Sequence, residues 1–174
     1  MVLLLIKYKY FLLAITNCGI MTKNIAKNYY YLHHNTINEL VKNNTLDIKG
    51  NLILFGKVST IYVLSKKSKN NVRKSGKSPY KTNTSQLEHD YLLLKSYCSL
   101  PLQYQITWKN ETELKETYRN STTIDGMFLM ADKKIGVEIF TSNYSNEIIK
   151  KKLEFGSLNC DKLITMNTED IKYK

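Results

Sequence analysis

Twenty consecutive residues, Ser65 to Thr84, offer little besides Val72 and Tyr80 to a hydrophobic core; the rest are almost all polar or basic. Such a stretch cannot repay the entropy of ordering it by burial, and it reads as a basic linker or mobile arm. The apolar residues on either side must then fill separate cores. The expected organisation is a first domain at 1–64, a linker at 65–84 and a second domain at 85–174. With 43% apolar residues over 174 positions, two small cores can be filled.

Charge is segregated along the chain. Residues 1–84 carry 14 basic and 2 acidic side chains, a net of +12, and residues 85–174 carry 12 basic and 13 acidic, a net of −1. An AT-rich genome over-supplies Lys, Asn, Ile and Tyr whatever the function, but codon bias does not explain why the excess sits in one half. A one-sided basic surface favours a polyanion, because each phosphate neutralised releases condensed counterions.

The opening residues are apolar, yet Lys7 and Lys9 interrupt them, leaving neither a signal-peptide core nor the roughly 20 apolar residues of a membrane span. They read as a core helix, and no membrane partner is expected. Cys18, Cys98 and Cys160 are odd in number and widely spaced, which suits reduced thiols and a cytoplasmic location. Gly76, Lys77 and Ser78 echo the end of a phosphate loop, but Asn71 stands where its first glycine belongs.

The first half has a specific rhythm. Thr22 is placed to cap a short helix with Ile25, Ala26 and Tyr29 facing inward. A tight connection leads to a second short helix with Ile37, Leu40 and Val41 on its apolar face, ended by Asn44 in a left-handed conformation. Three short strands follow, with turns at Gly50 and Gly56. This pattern is that of a winged helix-turn-helix, whose second helix enters a major groove of double-stranded DNA. His33, His34, Asn35, Thr36, Asn38 and Lys42 are the candidate DNA-facing residues, since Asn pairs bidentately with adenine and Lys or Thr reaches phosphates and base edges. Lys57 on the wing, and Lys66, Lys67 and Lys69 after it, would neutralise flanking phosphates. The competing reading is a winged helix used for protein contact.

The second half predicts a helix from Gln86, an alternating strand over Leu102 to Trp108, a hairpin turning at Ala131 to Lys134, a helix from Tyr144 to Phe155 and a closing strand at Lys162 to Met166. The expected class is therefore α+β: a winged helix-turn-helix followed by a small α/β domain. Glu88, Asp125 and Glu138 are the candidate catalytic carboxylates. In an active nuclease Asp125 and Glu138 would share Mg2+ or Mn2+ to activate a water; otherwise no cofactor is expected. Nucleases of the PD-(D/E)XK type order their acidic residues in this way, but they need a lysine two residues after the strand glutamate, where this chain has Phe140. Lys150, Lys151 and Lys152, on the following helix, are the candidate substitutes that could reach inward. His89 and Asp90 read as helix surface or capping residues.

The succession of Ile61 to Ser65, the basic segment, Leu87 to Asp90, Ile124 to Phe128, Val137 to Phe140 and a lysine-bearing helix resembles the replication-relaxation family of plasmid and mobile-element proteins. That resemblance implies a winged helix joined to a degenerate PD-(D/E)XK nuclease-like domain, and a DNA-binding accessory role in plasmid replication, mobilisation or relaxosome assembly. Expected partners are double-stranded DNA together with a second copy or other replication or mobilisation proteins. The alternatives are a metal-dependent endonuclease targeted by its winged helix and a transcriptional regulator.

Overall fold

The computed structural model describes residues 2–54, 57–82, 86–119 and 121–171, with the backbone alone for 2–6, 54, 57, 170 and 171. Helix α1 (Val2–Cys18) buries Phe11, Ala14, Ile15 and Cys18 and stops at Gly19, whose φ of +80° is one that glycine adopts without strain. After the short strand β1 (Met21–Thr22), the Thr22 hydroxyl accepts from the Ile25 backbone N–H at 3.2 Å and so starts α2 (Lys23–Tyr30). Ile25 and Ala26 point inward as expected. Tyr29 does not: it is 39% exposed, and Tyr30 is buried in its stead, edge-on to Phe11 of α1.

Helix α3 (His34–Lys42) buries Ile37 and Leu40, and Asn44 follows it in the left-handed region with φ +53°. The segment expected as three strands is two. Strands β2 (Leu46–Leu54) and β3 (Lys57–Leu64) pair antiparallel along their whole length, in a sheet ordered β1-β3-β2. Gly50 makes no turn. The register passes from Ile48 opposite Tyr62 to Gly50 opposite Ile61, so Lys49 is the extra residue of a bulge. The turn predicted at Gly56 lies outside the described residues.

The basic segment is not a bare linker. Ser65 caps a helix, α4 (Lys66–Lys74), and beyond it Pro79 and Tyr80 are buried, with the Tyr80 N–H donating to the Thr16 carbonyl of α1 at 2.9 Å. Helix α5 (Leu87–Ser99) packs on α1 and buries Leu93, Leu94, Tyr97 and Cys98. The chain therefore divides into units at 1–99 and 100–174, and α5 belongs with the first. Fifteen basic and 4 acidic residues in 1–99, against 11 and 11 in 100–174, put the whole net charge of +11 in the first unit.

In the second unit, Pro101 seeds a short helix, α6 (Leu102–Gln105), where a strand was expected; its carbonyl accepts from the Tyr104 and Gln105 backbone N–H groups. The alternation of Tyr104 and Trp108 has another use, since both rings lie against Phe128. After β4 (Lys109–Asn110), a reciprocal capping box between Asn110 and Glu113 starts α7 (Glu111–Thr117). Strands β5 (Gly126–Met130) and β6 (Lys133–Phe140) form the expected hairpin, with Ala131 and Asp132 both left-handed. Helix α8 (Asn146–Asn159) crosses over to β7 (Lys162–Asn167), which runs parallel to β6 in a sheet ordered β4-β5-β6-β7. The chain is thus mixed α+β, with eight helices and two sheets among the described residues. No described helix is long and apolar enough to cross a membrane.

Candidate nucleic-acid interface and buried charge cluster

The two faces of α3 differ sharply. Ile37 and Leu40 are buried, while His34, Asn35, Asn38 and Lys42 are exposed on the opposite side and Thr36 is half-buried at the boundary. His33 lies one residue before the helix as its cap, with Nδ1 accepting from the Asn35 N–H at 3.5 Å, and its ring sits 4.2 Å from that of His34. The six candidates expected at the duplex thus fall on or immediately before one helix.

Lys66 and Lys67 are exposed on the first turn of α4; the Lys57 side chain lies outside the described residues. Lys69 is half-buried, and its pKa is lowered by that burial and then by the neighbouring charges of Lys49 and Arg73, against the opposing pull of Asp47. Sequence reasoning missed Lys49 and Arg73. The first is presented by the bulge, and the second belongs to a helix hidden inside a linker-like composition.

Asp125, Glu138 and Lys152 meet in the second unit, with 1%, 0% and 5% of their surfaces exposed. Glu138 lies in β6, and Asp125 immediately precedes β5, one step beyond the pair Gly126 and Val137. The Asp125 N–H donates to Glu138 Oε2 at 3.1 Å, and the Ile139 N–H donates to Asp125 Oδ2 at 2.7 Å. Lys152 reaches in from α8, its Nζ 2.7 Å from Glu138 Oε1 and 3.6 Å from Asp125 Oδ1.

The sheet and α8 are closely packed at two glycines. A Cβ on Gly136 would lie within 2.9 Å of Ile124, Cys160 and Leu163, and one on Gly156 would lie 2.6 Å from Leu163. Burial alone would depress the Lys152 pKa, but Asp125 and Glu138 outweigh it and hold the ammonium above the ordinary lysine range. The Tyr144 ring lies 5.4 Å from Nζ, and its phenol is pushed up by burial, with Lys152 opposing and Asp125, Glu138 and Glu111 reinforcing. Of the three helix lysines expected as substitutes, Lys152 is the one that meets the two carboxylates. Of the other two helix lysines, Lys150 is exposed and Lys151 pairs with Glu147 at 2.6 Å.

Glu88 is half-buried on α5 in the first unit, so the three expected carboxylates are divided between two units. No three His, Cys, Asp or Glu side chains gather as a metal site among the described residues. His89 and Asp90, expected at the surface, are buried: His89 Nδ1 lies 3.1 Å from Asp90 Oδ1, which also accepts from the Tyr80 hydroxyl at 3.3 Å. The helical phase of Leu93, Leu94 and Tyr97 places Asp90 on the inward face, a signal that the sequence carried. The chain matches no family model, no curated protein and no solved structure.

Proposed function

We propose that the first unit is a winged helix-turn-helix that docks α3 in the major groove of double-stranded DNA, making the protein a DNA-binding accessory factor. The observation that carries this reading is the exposed polar face of α3, which bears Asn35 and Asn38, a residue type able to pair with adenine, in a unit that holds the whole net charge of +11. A place in replication or mobilisation of a plasmid or mobile element rests on the family resemblance alone.

The test is fluorescence anisotropy of the full chain on a labelled AT-rich duplex, at two salt concentrations and without divalent metal. Binding that weakens steeply with salt is expected. Absence of binding at low salt overturns the reading.

A second reading, a metal-dependent endonuclease, is favoured by Lys152. Asp125 and Glu138 are the chemistry that Mg2+ accepts, since it binds through one or two carboxylates together with substrate phosphate oxygens. The bound ion would supply Lewis-acid polarisation of the scissile phosphate. Lys152, already charged at neutral pH, would stabilise the negative charge that develops there, a kind of contribution whose loss typically costs about 100-fold or more in rate. The trio is sealed from solvent, which is why binding without cleavage stands first. Cleavage in magnesium or manganese that Asp125→Ala and Glu138→Ala each abolish, with duplex binding intact, would reverse that order; an inert wild-type protein sinks the nuclease.

A further inference from the structure

Helix α4 carries Lys66, Lys67, Lys69, Arg73 and Lys74 in nine residues, with no acidic side chain and no buried one. A helix of that composition repels itself and gains little from packing. It is nevertheless fixed at its N-terminus by hydrogen bonds to the turn that ends α3. The Ser65 hydroxyl donates to the Asn44 carbonyl at 2.7 Å, and the Ser65 N–H and the Ser68 hydroxyl both donate to the Thr45 carbonyl, at 3.1 and 2.9 Å. The same Ser65 oxygen accepts from the Ser68 N–H at 3.1 Å as the helix cap. The basic helix is thereby set in a constant position relative to the helix proposed to read the groove.

Lys66, Lys69 and Arg73 are spaced i, i+3 and i+7 and so form one stripe. Lys49, thrust out by the β2 bulge, lies close enough to Lys69 to lower its pKa, and the Arg73 guanidinium is steadied by donating to Asn70 Oδ1 at 3.2 Å. Asp47 is the carboxylate that faces this group. The stripe from Lys66 to Arg73 is about 10 Å long, and one strand presents a phosphate for about every 3.4 Å of duplex axis, so the stripe can face several consecutive phosphates.

Resting on the duplex-binding reading, we propose that α4 is a second DNA-contacting element, in which Lys49, Lys69 and Arg73 clamp consecutive phosphates beside the groove that α3 enters, at a distance set by Ser65 and Ser68. It contributes affinity without sequence preference, since phosphate contacts position a protein on a duplex and carry no base information.

The experiment measures duplex affinity of the full chain over a salt series for the wild type, Lys69→Gln/Arg73→Gln and, as a control for net charge, Lys133→Gln/Lys162→Gln, two exposed lysines of the second unit. Each lost phosphate contact flattens the log–log salt slope by about 0.9, so the α4 variant is expected to lose about 1.8 and the control nothing. The ranking of different duplex sequences stays unchanged. Ser65→Ala/Ser68→Ala, which keeps every charge but frees the helix, is expected to bind about fivefold more weakly, the equivalent of one lost cap. An unchanged slope in the α4 variant, or an equal loss in the control, overturns the clamp and leaves duplex binding standing. A wild type that does not bind overturns both.

Discussion

The molecule holds two concentrations of charge that obey opposite rules. In the second unit Lys152 is enclosed with Asp125 and Glu138, and each of the three is satisfied by the others or by a backbone N–H. In the first unit Lys49, Lys69 and Arg73 are open to solvent or half-buried; Lys49 and Arg73 act on Lys69 as like charges, with Asp47 opposing them. Enclosed charges must be paired because desolvation is costly; exposed like charges cost little until a polyanion arrives, and then they bind it. The comparison separates an enclosed, internally paired cluster from an open one of like charge, which is what the proposed duplex contact requires.

The largest effect that could break this comparison is at Lys152. Lys152→Met leaves two carboxylates enclosed without a cation, and losing one partner of a buried pair costs about 3–5 kcal/mol. Adding Glu138→Gln should recover part of that loss, as read by urea denaturation. The pH dependence has a definite sign. The folded-state pKa of Lys152 lies above its unfolded value of about 10.4, so the stabilisation is fully present below that pH and is lost as pH rises through the folded-state value. The wild type should therefore outlast Lys152→Met by a constant margin at neutral pH, with the margin shrinking in strong alkali. Equal stability of the two proteins would mean that the trio does not hold the second unit together.

Next in size is the close packing at Gly136, two residues before Glu138. Gly136→Val forces a side chain into Ile124, Cys160 and Leu163, and overpacking of this kind costs about 1–3 kcal/mol. A urea midpoint indistinguishable from the wild type would show that these neighbours give way at no cost. On the exposed side, Asn38→Ala should leave thermal stability unchanged while costing about 1–3 kcal/mol of discrimination between duplex sequences, as read by competition binding. Together these variants should dissociate fold from binding; one that lost both would undo the distinction.

What the sequence revealed follows the same division. Thr22, Asn44 and the Ala131 and Asp132 turn were legible because each acts on backbone a few residues away, and the apolar residues of α3 were legible from their spacing. Lys152 was not singled out from Lys150 and Lys151, because helical periodicity alone does not say which of three adjacent lysines faces a strand glutamate; that is set by tertiary packing such as the close approach of Gly156 to Leu163. The strand expected over Leu102 to Trp108 failed because Pro101 imposed a local helix that alternation does not register. Asp90 was misplaced by its charge, although its phase with Leu93, Leu94 and Tyr97 pointed inward. The segment at 65–84 misled most, since its composition describes a linker and its order, Ser65 three residues before Ser68, describes a capped helix tied to the end of α3.

That last tie yields the smallest effect and the sharpest comparison. Ser65→Ala removes the cap of α4 together with the bond to the Asn44 carbonyl, and loss of a serine cap costs about 1 kcal/mol. Because α4 buries no side chain, little of that loss should spread to α1 or the sheet. Amide hydrogen exchange should therefore quicken across Lys69 to Lys74 while Phe11 to Ile15 stays protected, and binding should weaken without a change in sequence preference. If protection in α1 fell equally, α4 would be part of the packed unit like α5. Protection lost from α4 alone would mark it as a helix held in place by its cap, with its charges outside the packed unit.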